Sequence, residues 1–552
     1  MEQSRLFIAI ALSFLIFLLW HVLFVKEEPV PTRPPAQEVG GSPNVSQAPE
    51  TAPKSILPAA PPQADREPAK ASRDARIFTV DTPLYRVRIS EKGAVFQSFV
   101  LKNYRESVGD DSALKELVAQ EAPQGDLQFS FPGADLPDFS EAVFSSERSL
   151  DRLEITDAPQ KLSFRWSSPE GIVLEKTFLF SPDTYLIDYA VTVKNGTDRS
   201  LPDKVALSLL DTVPQEKAKF GFEGASLLIG KKVEQVDFGD IPEKNLFTGE
   251  IKWVALQDRY FLTTILPDSV KEAAVQLKLG PQNLLEAQYV LSAAGISPGA
   301  EKRFDFALYF GPKSVQTLKE IGRDLDKAVD FGMFDILAKP CLWLMNFLYR
   351  FIPNYGVAII ILTILMKLLL WPLGTKSYKS MNEMKKLQPI MAQIREKYKG
   401  DKKRMNEEVM GLYRTYKINP MGGCLPMIAQ IPVFFALYRM LYEAIELRHA
   451  PFFGWINDLS APDRLFHFNF SIPFMEPPYG IPVLTLVMGG TMFLQQKMTP
   501  APGDPSQAKM MMLMPVVFTF IFINFSSGLV LYWLINNVLS ISQQYYITKK
   551  LS

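Results

Sequence analysis

Apolar and polar positions alternate along the first half of the chain and run together in the second. Between about Arg76 and Phe310, short segments such as "LYRVRIS", "GIVLEKTFLFS", "TYLIDYAVTVKN" and "RFDFALYF" tend to alternate in character and are separated by Gly, Pro, Asn and Asp. A period of two, bounded by turn residues, predicts a large antiparallel β-sandwich, which we assign to residues 76–325. Beyond it the alternation gives way to apolar runs at 355–373, 423–441, 481–497, 511–526 and 528–547, each predicted as a transmembrane helix. A sixth run, "LFIAIALSFLIFLLWHVLFV", lies within residues 1–25. As a helix it is about 30 Å long, and "HVLFV" lacks a small-x-small cleavage site, so an uncleaved N-terminal anchor is expected.

The remaining stretches connect these elements. Residues 26–75, rich in Pro, Ala, Gln and Glu, read as a flexible tether, and 326–354, with "FDILAKPCLWLMNFLYRFIP", as an amphipathic helix at a membrane surface. Residues 374–422 contain two amphipathic stretches broken at "KGD" and are expected to form a helical hairpin. The stripe Met384, Leu387, Met391 and Ile394 suits packing on the partner helix, on lipid or on a client chain. Loops at 442–480 and 498–510 and a short tail at 548–552 complete the chain. The 374–422 segment carries many more Lys and Arg than acids, so it is expected in the cytoplasm. Six spans then place both termini inside and the β-domain outside the cytoplasm.

Composition excludes some classes of function. The formal net charge is +0, whereas nucleic-acid binders usually carry a clear basic excess. The two cysteines, Cys341 and Cys424, both lie in the apolar half and suggest neither a disulfide framework nor a metal or redox pair. No Walker A pattern occurs, and the histidines are only His21, His449 and His467, so no cofactor or metal is expected.

Candidate chemistry centres on one lysine in "ILTILMKLLLWPL". In the expected orientation Lys367 falls in the inner leaflet, where a lysine can also simply snorkel to the interface. Polar residues recur at a similar depth elsewhere: Thr363 one turn away, Gln430, Gln495, Gln496 and Thr519, and a stripe Trp533, Asn537, Ser540 and Gln544 on the last span. None of the six apolar cores contains Asp or Glu, so Lys367 has no intramembrane counter-ion. Single amides often only glue helices together, but several around a cation favour a polar cavity open to the cytosol.

"NYGVAIIILTILMKLLLWPL", "LQPIMAQIREKY", "INPMGGCLPMIAQIPVFFALYRML", "GGTMFLQQKM" and "SSGLVLYWLINNVLSISQQ" resemble, in order, the YidC family of membrane protein insertases in the Oxa/Alb superfamily. The tether and β-domain are similar to the Gram-negative form, so the resemblance covers essentially the whole chain. It implies a mixed fold: a polytopic membrane core of six spans containing a five-helix insertase core, plus an antiparallel β-supersandwich in the periplasm. It further implies a hydrophilic groove, a mobile cytoplasmic hairpin, and the inner membrane as location. The family's groove charge is usually Arg; Lys367 keeps the charge but not the bidentate fork. By this resemblance Thr363, Tyr532 and Trp533 contact the client's transmembrane segment, and Gln430 and Gln496 line the groove. Asn537 joins this candidate client-binding set. The implied partners are nascent membrane proteins, the Sec translocon, ribosome and signal-recognition-particle components, and membrane lipids.

Two other classes compete. Against a solute transporter or channel stand the carboxylate-free apolar cores, since proton- or cation-coupled carriers usually need intramembrane carboxylates, and a cavity closed toward the outside. A membrane-tethered periplasmic carbohydrate-binding protein or enzyme is the other, since the β-domain is similar to the mutarotase-like supersandwich. That chemistry needs a histidine acid or base, and residues 76–310 contain none. The chain is therefore expected not to be an enzyme.

Overall fold

In the computed structural model, alternation becomes two facing sheets. The structure describes residues 75–109, 111–122, 124–133, 136–214, 221–269, 272–292, 294–416, 425–499 and 505–551. The expected anchor at 1–25 and most of the tether lie outside them.

The smaller sheet has five strands, in the order Leu114–Glu116, Val95–Arg105, Tyr85–Ser90, Ile77–Asp81 and Arg152–Glu154. Its last pair is parallel, a departure from the all-antiparallel expectation. The larger sheet has twelve strands, with Glu301–Pro312 between Phe261–Pro267 and Leu186–Asn195 near its middle. Strand Ile172–Phe180 shows why the sheets face each other: Ile172, Leu174, Phe178 and Phe180 are buried, and the residues between them are half-buried. Phe96 and Phe99 of the small sheet meet Phe310 of the large one at ring distances of 5.3 and 5.1 Å. This apolar contact closes a β-sandwich-like domain.

Lys176 occupies one of the inward positions of that strand. Its Nζ donates to the Gly93 carbonyl at 2.6 Å and lies 5.3 Å from the centre of the Phe144 ring.

After the last strand, helix α1 (Val315–Ile321) is capped by Ser314 and ends at Gly322, whose φ of 77° suits glycine. Helix α2 (Asp335–Phe351) buries Ala338, Cys341, Leu342 and Met345 and exposes Ile336, Trp343, Phe347 and Phe351. Apolar residues on both faces fit a helix with protein on one side and an apolar medium on the other. Helix α3 (Tyr355–Leu369) starts at Asn354, whose side chain accepts from the Val357 N–H at 3.1 Å. The apolar run expected to continue to residue 373 breaks at Leu370, and α4 (Trp371–Lys397) leaves at 63°. Pro372, in the first turn of α4, has no N–H to lose there.

Helix α4 packs against α5 (Lys402–Thr415) through Leu387, Met391 and Tyr413, so the methionine-rich stripe faces the partner helix. The others are α6 (Leu425–Glu443), α7 (Val483–Met498), α8 (Pro505–Phe522) and α9 (Ser527–Leu551). Among the described residues no single helix is long and apolar enough to cross a membrane; α3 and α4 pass that test together, as a bent pair.

Burial holds the Lys176 ammonium down to about 7. An unfolded lysine titrates near ~10.4, so between these values the unfolded chain binds the extra proton and stability rises with pH. The thermal midpoint of the β-domain should rise from pH 7 to pH 10, on the order of 5 °C. Lys176→Met should abolish that rise; a variant keeping the wild-type slope would show that Lys176 does not cause it.

Candidate functional site

Helix α9 carries polar residues on two faces, because neighbouring residues in an α-helix point about 100° apart. Asn536 and Ser540 share one face and meet α3. The Lys367 ammonium donates to Ser540 Oγ at 2.6 Å and lies 3.5 Å from Asn536 Oδ1. The Gln430 amide of α6 donates to the same Asn536 oxygen at 3.1 Å. The network extends in both directions: the Tyr532 hydroxyl reaches Gln430, and the Tyr378 hydroxyl of α4 reaches Ser540. One turn further on, Gln543 donates to the Trp371 carbonyl at 3.1 Å, directly after the break between α3 and α4. Four helices thus converge on Lys367 through neutral groups.

The other face of α9 meets α7. Asn537 Nδ2 lies 3.4 Å from Thr491 Oγ1, and Gln544 donates to the Met498 carbonyl at 2.9 Å. The oxygen of the Gln544 amide is buried without a partner among the described residues. Gln496 is half-buried near the end of α7.

These positions divide the candidate set. Lys367, Gln430 and Tyr532 join one hydrogen-bonded network, whereas Asn537 sits on the α7 side with Gln496 close to the Gln544 contact. Thr363 is buried and donates to the Ile359 carbonyl within its own helix at 2.7 Å. The Trp533 ring lies 4.7 Å from Phe434 and 4.9 Å from Phe522, in an aromatic cluster among α6, α8 and α9. Lys367 is therefore hydrogen-bonded rather than bare.

Asn536 and Gln543 were missed in the sequence reading. Their signal was a second stripe, Asn536, Ser540 and Gln543 at i, i+4 and i+7, beside the stripe chosen through Asn537. Among the described residues no group of three or more His, Cys, Asp and Glu could hold a metal ion.

The opposite end of the helices is tied by a buried charged pair in the loop between α6 and α7. Asp463 accepts from the N–H of Leu484 at the start of α7 and from the Trp455 indole. Arg464 donates to the carbonyls of Pro478 and Ile523 at 2.9 and 2.8 Å, joining that loop to the turn between α8 and α9. Ser527 at the start of α9 donates to the Ala461 carbonyl at 2.7 Å through both its N–H and its hydroxyl. The polar network around Lys367 lies toward the basic hairpin, away from this clasp.

Two family models match the chain: the 60Kd inner membrane protein over residues 347–552 and the YidC periplasmic domain over residues 77–344. A membrane protein insertase YidC of Syntrophus aciditrophicus is 40% identical over 560 residues, covering 99% of this chain and 100% of the relative. The membrane protein insertase YidC of Syntrophobacter fumaroxidans is 41% identical over 558 residues, with coverage of 99% and 100%. A crystal structure described as an active YidC insertase with its first transmembrane domain resolved is 18% identical, at a TM-score of 0.37. It covers 87% of this chain and 95% of that one.

Because Gln430 donates directly to the Asn536 oxygen, the contributions of these two amides should not add. Thermal unfolding in detergent of Gln430→Ala, Asn536→Ala and the double variant should give a coupling of about 1 kcal/mol. Strictly additive losses would mean that the two amides act separately.

Proposed function

We infer how this chain works from one premise: it belongs to the YidC family of membrane protein insertases, inner-membrane proteins with a periplasmic domain, whose clients are nascent membrane proteins. In our reading α3, α6, α7, α8 and α9 cross the membrane and, with the segment at 1–25, make six spans with both termini in the cytoplasm. Their outer faces support this. Leu365, Leu368 and Leu369 on α3, Leu486 and Val487 on α7, and Leu513 and Val517 on α8 are all exposed. Apolar surface on that scale marks contact with membrane or partner.

The observation that carries the mechanism is that, among the described residues, the Lys367 ammonium is held by neutral side chains of α9. A polar flank entering hydrocarbon must leave its hydrogen bonds to water behind, at several kcal/mol for each unsatisfied group. Lys367, Gln430 and Asn536 offer replacement partners, and the positive charge selects an acidic flank. Tyr532 and Gln496 complete the polar wall, with Asn537 bracing α9 on α7. Thr363 and Trp533 back that wall and border the path by which the client's apolar helix passes into lipid.

Binding lowers the barrier and leaves no product bond to break, so the cycle needs neither nucleotide nor metal. The hairpin of α4 and α5 presents its basic residues to the cytoplasm, which suits a recruiting role toward the ribosome, signal-recognition-particle components and the Sec translocon.

Purified protein in liposomes without ATP should insert a single-span client with an acidic extracytoplasmic tail, and empty vesicles should not. Lys367→Ala should cut that insertion roughly tenfold, the equivalent of about 1.4 kcal/mol, with Lys367→Arg keeping most of it. Equal activity in the two variants would remove Lys367 from the mechanism.

A further inference from the structure

The loop between α6 and α7 carries a feature that insertion through the Lys367 network does not use. Residues 465–475 read "LFHFNFSIPFM", four phenylalanines with no Asp, Glu, Lys or Arg. In a loop, such a run would be expected to turn its rings inward. Here Phe466, Phe470 and Phe474 are 67%, 62% and 81% exposed. The Phe468 and Phe470 rings stack at 5.2 Å, which fixes the run as an aromatic finger.

Its base is held firmly. Arg464, just before the finger, donates to Asn524 Oδ1 at 3.2 Å, and the Glu476 N–H just after it donates to the same oxygen at 2.9 Å. The Asn524 amide donates to the Phe474 carbonyl at 2.9 Å. Both ends of the finger are therefore pinned to the turn that follows α8, whose outer face exposes Leu513, Val517 and Phe520. The finger continues the apolar surface of that helix at its end.

Phe466 and Phe474 have φ of 53° and 65°, a left-handed conformation that is unusual for bulky residues. The backbone accepts this strain at the two residues whose rings are most exposed.

We propose that residues 465–475 form a lipid anchor, with the phenylalanine rings set among the headgroups and upper acyl chains of the periplasmic leaflet. Phenylalanine is among the side chains that interfacial segments bury at the boundary of headgroups and acyl chains. The absence of charge fits an apolar medium, and continuity with the outer face of α8 puts lipid within reach. A client would occupy the finger only during insertion, leaving the rings in water the rest of the time, whereas lipid is always present. The anchor would fix the periplasmic ends of α7, α8 and α9 against the bilayer while a client moves past them. This inference rests on the membrane reading of the helices given above.

The test uses the full chain with Cys341→Ser and Cys424→Ser, carrying Phe470→Cys labelled with an environment-sensitive fluorophore, in client-free liposomes of phosphatidylethanolamine and phosphatidylglycerol. Phe474→Cys provides a second position, Leu513→Cys on α8 a membrane reference, and Leu150→Cys in the β-domain a water reference. At 470 and 474 the emission should shift to the blue and be quenched by lipids bearing a nitroxide near the headgroup, more than by lipids with a deep nitroxide. Quenching at 513 without quenching at 470 and 474 would overturn the anchor alone, and no quenching at 513 would overturn the membrane reading beneath it. Quenching at 470 that begins only when client is added would make the finger a client surface and reject lipid as its occupant.

Discussion

An ammonium group packed among apolar helices calls for hydrogen-bond acceptors, because taking a charge out of water without partners is costly. In this chain the acceptors are Ser540 and Asn536, both on α9. That requirement sets much of the helical half. It brings α3 against α9, draws Gln430 of α6 to the same oxygen, and places the break at Leu370 where Gln543 can satisfy the Trp371 carbonyl. A carboxylate in place of Asn536 would answer Lys367 more fully, but it would also cancel the positive charge on which the proposed attraction of a client depends.

The strand half is joined to this assembly by cations that reach backbone oxygens. Arg448, after α6, donates to the Glu106 carbonyl at 3.2 Å, and its guanidinium lies 5.3 Å from the Phe261 ring centre. Arg259, between two strands of the large sheet, donates through Nε to the Tyr442 carbonyl at 2.8 Å and lies over the Tyr442 ring at 3.6 Å. Carbonyl acceptors and ring faces do not neutralise these cations, so such contacts add direction and packing without burying an ion pair. Asn346 of α2 donates to Glu446, whose carboxyl burial pushes upward. The β-domain is thereby fixed to the loop that also carries the Asp463 and Arg464 clasp.

The β-half could be read from its sequence because alternation encodes which side chains face in, and Ile172 to Phe180 show that pattern residue by residue. Alternation could not identify the parallel pairing of Arg152–Glu154, a contact between distant segments with no local signal. The helical half was less legible. Residues 355–373 are apolar throughout, so hydropathy runs across the break at Leu370; only Pro372 marks the start of a new helix. At the site, the lone charge in an apolar run marked Lys367, depth marked Gln430 and periodicity marked Ser540, but the paired Asn536 and Asn537 offered two registers. Choosing between them required knowing which face of α9 meets α3, and only tertiary packing settles that.

The same packing bears on the role proposed for Lys367. An ammonium has three donor protons, and here Ser540 and Asn536 take two directions; in the proposed role the third donor and the charge would serve a client. A guanidinium would offer a planar fork that grips a carboxylate at two points. If Lys367 meets clients as proposed, its arrangement favours exchange over capture: an arriving carboxylate would compete with neutral oxygens, and on its departure those oxygens would take the ammonium back. Holding a polar flank firmly would slow its release, and a site that lowers a barrier in passing gains most from contacts that break as readily as they form.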